Sequence, residues 1–90
     1  MVQIFFIYAE TCEHCKEALL TIERAIKYSK KSCKIIKLHY DTDVAVKIAI
    51  NKGINDLPGL VIGDDVYIGN NYTEEKIVKS ITSTARKNER

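Results

Sequence analysis

Val2-Gln3-Ile4-Phe5-Phe6-Ile7-Tyr8-Ala9-Glu10-Thr11-Cys12-Glu13-His14-Cys15-Lys16 is an apolar run that passes through Ala9, Glu10 and Thr11 into a Cys-x-x-Cys pair. Val2 to Tyr8 is almost continuously apolar or aromatic, which suits a central strand covered on both faces better than a one-sided alternating strand. Beyond the second cysteine, Ala18, Leu19, Ile22, Ala25 and Ile26 recur at the three-and-four spacing of a helix face, with Lys16, Glu23, Arg24 and Lys27 turned outward. The two thiols therefore stand where a strand gives way to a helix. Cys12 is expected to cap that helix, where orphan backbone N–H groups and the positive end of the dipole favour the thiolate, the form that attacks a disulfide. Cys15, one turn on, is positioned to resolve the mixed disulfide that results. A purely structural bridge is a weaker use of the pair. So small a ring constrains the unfolded chain by roughly 2 kcal/mol, against about 3 kcal/mol for a fifteen-residue loop. Zinc remains an alternative, because Cys12, Cys15, Cys33 and His39 are four ligands of types that it accepts.

Outward from this stretch, Lys30-Lys31-Ser32 punctuates the chain. Cys33 to Tyr40 is a β-branched run whose lysines mark an edge strand, and joining it to the first strand through a helix implies a right-handed parallel crossover. Asp41 or Thr42 caps a second helix with a buried stripe of Val44, Ala45, Ile48 and Ala49, ending at Gly53. Gly59 to Ile62 and Val66 to Ile68 flank Gly63-Asp64-Asp65 as a β-hairpin. Asn71 or Thr73 caps a last helix with the stripe Ile77, Val78 and Ile81, and residues 83–90 are expected to fray into a tail. The order is βαβαββα, predicting one α/β domain over residues 1–90 with a four-stranded mixed sheet flanked by three helices.

Composition narrows the function classes. The 90 residues carry a net charge of +2, with 46% hydrophobic and 29% charged residues, as in an ordinary globular domain. The lysines cluster mainly at Lys30, Lys31, Lys34 and Lys37, a solvated turn and edge strand rather than the dense basic face that nucleic acid demands. No export signal or membrane span is visible, and three cysteines fit a secreted disulfide framework poorly. A cytoplasmic protein is expected, with no nucleic-acid or membrane partner.

Nearly the whole chain resembles the thioredoxin superfamily. Tyr8-Ala9-Glu10-Thr11-Cys12-Glu13-His14-Cys15-Lys16 is similar to the thioredoxin active-site stretch, with Thr11 in place of the usual tryptophan. Gly53-Ile54-Asn55-Asp56-Leu57-Pro58 resembles the segment that ends in a cis proline, and Leu60-Val61-Ile62-Gly63 with Ile68-Gly69 resembles the final hairpin. Size and element order are similar to those of the compact glutaredoxin and thioredoxin-like redoxins. Phe6 holds the position of the buried acid of thioredoxins. His14 holds the position where protein disulfide isomerases carry a histidine that stabilises the first thiolate, and Glu13 opposes it.

The resemblance implies a thiol-disulfide oxidoreductase with Cys12 as nucleophile, Cys15 as resolver, and His14 and Glu13 as modulators. It also implies substrate contacts at Thr11, Leu57, Pro58, Gly69 and Tyr72, with a cis Leu57–Pro58 bond turning the Leu57 backbone toward the dithiol. Tyr8 is a further candidate for the groove, Cys33 is expected to be inert, and His39 to face solvent. No metal or resident cofactor is expected, with glutathione as a co-substrate at most. The expected partners are protein disulfides and, as electron donor, a thioredoxin-reductase-like enzyme or glutathione, for a protein that acts as a monomer. Two rivals stand beside this reading. One is a metal-binding module, through zinc or an iron–sulfur cluster bridged by Cys12; the other is a non-catalytic adaptor with the same fold.

Overall fold

The computed structural model describes residues 1–88. Its elements are β1 (Val2–Tyr8), α1 (Glu13–Ser29), β2 (Cys33–His39), α2 (Asp43–Lys52), β3 (Gly59–Ile62), β4 (Asp65–Ile68) and α3 (Glu74–Asn88). The sheet order is β2-β1-β3-β4. β1 and β2 are parallel, and the β1–β3 and β3–β4 pairs are antiparallel. β1 is thus internal and the lysine-bearing β2 lies at an edge.

Alternation along β1 builds two layers. Val2, Ile4 and Phe6 are buried with Ala18, Ile22 and Ala25 of α1 and Ile77 and Ile81 of α3, forming the main core. The opposite face is covered unevenly, with Gln3 exposed, Phe5 half-buried and Ile7 buried. Ten residues of α2 make about 15 Å of helix at about 1.5 Å per residue, too short to roof the whole strand. Coverage is therefore concentrated at the Tyr8 end, next to the cysteines.

Local chemistry accounts for the boundaries. α1 begins at Glu13, directly after the N-cap residue Cys12, and closes on Lys30 in the left-handed region at φ 56°, with its N–H donating to Ile26 O at 3.1 Å. Thr42 Oγ1 accepts from Ala45 N at 3.3 Å, and Thr73 Oγ1 accepts from Lys76 N at 3.1 Å, capping α2 and α3. Gly63, at φ 59°, occupies the first turn position of the β3–β4 hairpin, and Asp65 belongs to β4 opposite Ile62.

Two expectations are corrected. Val44 lies outside the α2 stripe and is exposed; Ala45 is the buried contact, Ile48 and Ala49 are half-buried, and Val44 is rotated about 100° from Ala45. Residues 83–88 do not fray. They continue α3, because Ala85 packs against the core, Lys87 Nζ reaches Asp64 Oδ2 at 2.9 Å and Asn88 Nδ2 donates to Met1 O at 3.4 Å. Glu89 and Arg90, also within the expected tail, lie outside the described residues.

Candidate active site

β1 delivers the chain to a tight turn in which Cys12 N donates to Ala9 O at 3.2 Å, and Cys12 becomes the N-cap residue of α1 with extended backbone at φ −81° and ψ 108°. Its side chain makes no capping hydrogen bond; Cys15 N donates to Cys12 O at 3.4 Å, and the positive end of the helix dipole lies beside the sulfur. Cys12 and Cys15 are joined as a disulfide with Cα atoms 5.4 Å apart. The two sulfurs sit in unlike places. Cys12 is half-exposed, whereas Cys15 is 5% exposed and belongs to the main core. Glu13 and His14 are exposed on the first turn, where the Glu13 carboxylate favours the helix but opposes a second negative charge on Cys12.

Two concavities reach Cys12. An open groove of about 610 Å3 runs toward α2 and is lined by Thr11, Cys12, Glu13, His14, Asp56 and Leu57 together with residues of α2. A second hollow of about 420 Å3 on the β2 side touches both cysteines, with Tyr8, Leu19, Lys16 and Lys37 around it.

The loop opposite Cys12 is closely tied. Leu57–Pro58 is cis, and Pro58 is buried. Pro58 O accepts from Gly69 N at 2.9 Å, and Asp56 Oδ1 accepts from Leu57 N at 2.8 Å. Gly69 has φ 65°, and a Cβ there would stand 3.2 Å from Asp56 Oδ2, so glycine serves both backbone conformation and close approach. Leu57 lines the groove, whereas Pro58 and Gly69, bonded to each other, do not.

Tyr72 lines neither concavity that touches Cys12. It is half-buried beside Glu17, Thr21 and Arg24, and burial, reinforced by the Glu17 charge, raises its phenol pKa. The structure thus places Tyr72 against α1, apart from the two concavities at Cys12. His39 also departs from expectation. Its side chain is 22% exposed, and Nε2 meets Glu10 Oε1 at 2.8 Å while Nδ1 meets Asp41 Oδ1. Tyr8 stands edge-on to the imidazole, with ring centroids 5.6 Å apart. The carboxylate of Glu10, then that of Asp41, raises the His39 pKa, and the same close Glu10–His39 contact lowers that of Glu10.

The four-ligand zinc set is not assembled. Cys33 pairs with Val2 and His39 with Tyr8, a separation of six residues, or about 20 Å at about 3.3 Å per residue. Among the described residues, no group of three or more His, Cys, Asp or Glu side chains converges as a metal site. Cys33 is half-buried at the far end of the sheet, and that burial raises its thiol pKa.

Sequence reasoning missed part of the groove wall: Tyr40 before α2, and Val46 and Ile50 upon it. The available signal was that Val44, Val46 and Ile50 put apolar side chains outside the single stripe of Ala45, Ile48 and Ala49, more than one buried face requires.

Neither the models of known protein families nor the curated proteins match this sequence. Solved structures do. A thioredoxin-like protein from Clostridium perfringens superposes with a TM-score of 0.75 at 18% identity, covering 93% of this chain and 71% of that one. The fold is thioredoxin-like. A malarial protein aligns over 93% of this chain and 97% of its own at TM-score 0.64 and 15% identity. Thioredoxin-2 of the malaria parasite, a component of its protein secretion machinery, aligns over 92% of this chain and 82% of its own at TM-score 0.62 and 16% identity. This thioredoxin-like fold holds Cys12 and Cys15 together at the start of its first helix.

Proposed function

We propose that the protein is a thiol-disulfide oxidoreductase acting on protein disulfides through Cys12 and Cys15. The observation that carries the reading is the unequal pair at the head of α1: Cys12 is the uncapped, half-exposed N-cap residue, and Cys15 is buried behind it. In the reduced protein, the Cys12 thiolate attacks one sulfur of a substrate disulfide. The Cys12–substrate S–S bond forms, the substrate bond breaks, and the departing thiolate takes a proton from solvent. Cys15, having lost its proton, then attacks Cys12 Sγ and expels the second substrate thiolate. The substrate gains two electrons and two protons, and the Cys12–Cys15 disulfide remains. A dithiol reductase, or two molecules of glutathione, would supply the electrons that restart the cycle, with no metal or bound cofactor.

Leu57 lines the same groove as Cys12, which supports an extended substrate lying along it, although in the free protein the Leu57 N–H is engaged by Asp56. Insulin reduction driven by dithiothreitol tests the reading. Wild type should accelerate it, Cys12→Ser should abolish the acceleration, and Cys15→Ser should accumulate a mixed disulfide at Cys12. Equal activity of wild type and Cys12→Ser would overturn the assignment.

A further inference from the structure

The groove on the α2 side of Cys12 has a composition unlike that of the chain as a whole. Its floor and far wall are aliphatic, and Tyr40, Val46 and Ile50 remain 50%, 44% and 75% exposed. With Val44, they are four of the seven exposed large apolar residues among those described, gathered on α2 and its lead-in. Single exposed apolar side chains need no explanation, but a cluster bordering a reactive sulfur marks a contact surface. The formal charges lining the groove are as distinctive. Glu13 and Asp56 are carboxylates, no lysine or arginine lines it, and neither carboxylate has a cationic partner among the described residues. On a chain of net charge +2, the groove beside Cys12 therefore sets two carboxylates over an apolar floor, with the His14 imidazole the one titratable nitrogen in its lining. The lysines near the cysteines, Lys16 and Lys37, stand around the other hollow.

Building on the redox reading above, we infer that this groove selects polypeptide disulfides whose cysteine is flanked by an aliphatic residue and by a lysine or arginine, and that it disfavours glutathione. Ile50 and Val46 contact the aliphatic residue, while Glu13 and Asp56 attract the cation. Glutathione bears two carboxylates against one ammonium and offers no large apolar side chain. At this groove it meets like charge and leaves the aliphatic wall uncovered, whether it arrives as substrate or as electron donor. The consequence is a protein that exchanges with cationic protein segments and draws its electrons from a protein dithiol.

Symmetric disulfides of two short synthetic peptides, one with Leu-Cys-Lys and the other with Leu-Cys-Glu at the centre, test this alongside oxidised glutathione. Each rate is read as peptide thiol released by the reduced protein and normalised to the rate with uncharged dithiothreitol, which removes the intrinsic reactivity of each disulfide. At low salt the lysine peptide should react about three- to ten-fold faster than the glutamate peptide, and the ratio should shrink toward unity at high salt. Glu13→Gln with Asp56→Asn should abolish the preference; Glu13→Gln alone, at an exposed position, should halve it if the double variant folds poorly. Ile50→Ser should slow both peptides by about three- to five-fold but leave a Ser-Cys-Lys peptide unaffected. Normalised rates within two-fold for all three disulfides would overturn the selection while leaving the oxidoreductase intact. Failure of the reduced protein to exchange with any disulfide, dithiodipyridine included, would overturn the oxidoreductase reading, and this inference with it.

Discussion

Cys12 and Cys15 have the same side chain, and their difference is made by surroundings: one sulfur at the open end of a helix dipole, the other within an apolar core. After reduction, Cys12 should therefore react with iodoacetamide at neutral pH about ten-fold faster than a cysteine in an unstructured peptide, with Cys15 the slower of the pair. Mass-spectrometric mapping of the label checks the order, and equal labelling would sink the argument from the helix end. Gly69 carries a second consequence at this scale. Its φ of 65° and the Asp56 carboxylate over its missing Cβ mean that Gly69→Ala should lower stability by about 1 to 2 kcal/mol, measured by urea denaturation. His39 carries a third. Its pKa is raised above 6.5 by Glu10 and Asp41, so its contribution is fully present below pH 6.5 and fades as pH rises through the folded-state value. The pKa of Glu10 is lowered from 4.5, so its share is present above pH 4.5 and is lost as pH falls through its folded-state value. The pair should accordingly stabilise most between about pH 4.5 and 6.5, and His39→Gln should flatten the dependence of Tm on pH across that window.

Each helix shows a different balance between local code and packing. Caps were readable: Thr42 and Thr73 were each one of two candidates, and both accept the expected backbone N–H. Thr73→Ala should lower stability by about 1 kcal/mol, and restoration by Thr73→Ser would separate the cap from the loss of packing. The end of α3 was not readable, since Ser83 to Asn88 is polar and resembles a solvated tail. What holds it helical is distant in sequence: the Asp64 turn, the Met1 carbonyl and the core beneath Ala85. The faces of α2 were half readable. A period-3.6 stripe identified Ala45, Ile48 and Ala49 but wrongly included Val44, and Val46 and Ile50 acquire meaning only once the Cys12 turn and the Asp56–Leu57 loop stand across from them.

The whole molecule depends on one core in which α1 and α3 lie across the Val2, Ile4 and Phe6 face of β1, with Leu60 and Ile62 of β3 alongside. Ile22 is fully buried at that junction, so Ile22→Ala should cost about 2 to 5 kcal/mol in chemical denaturation while leaving the chemistry of Cys12 intact in the folded fraction. A loss below about 1 kcal/mol would contradict so tight a core. Element order, the parallel crossover, the edge position of β2 and the cysteine pair at a strand-to-helix junction were all legible in the chain. Each follows from a period of two or of three to four residues, or from chemistry within one turn. The sequence by itself thus determined the architecture and the location of the two sulfurs. Tertiary structure alone decided what faces them: it laid Asp56, Val46 and Ile50 along the groove at Cys12, sent Tyr72 to α1 and set His39 between Glu10 and Asp41. Such juxtapositions depend on strand register and helix offset, which come from the packing of the whole chain and are written in no local stretch of it.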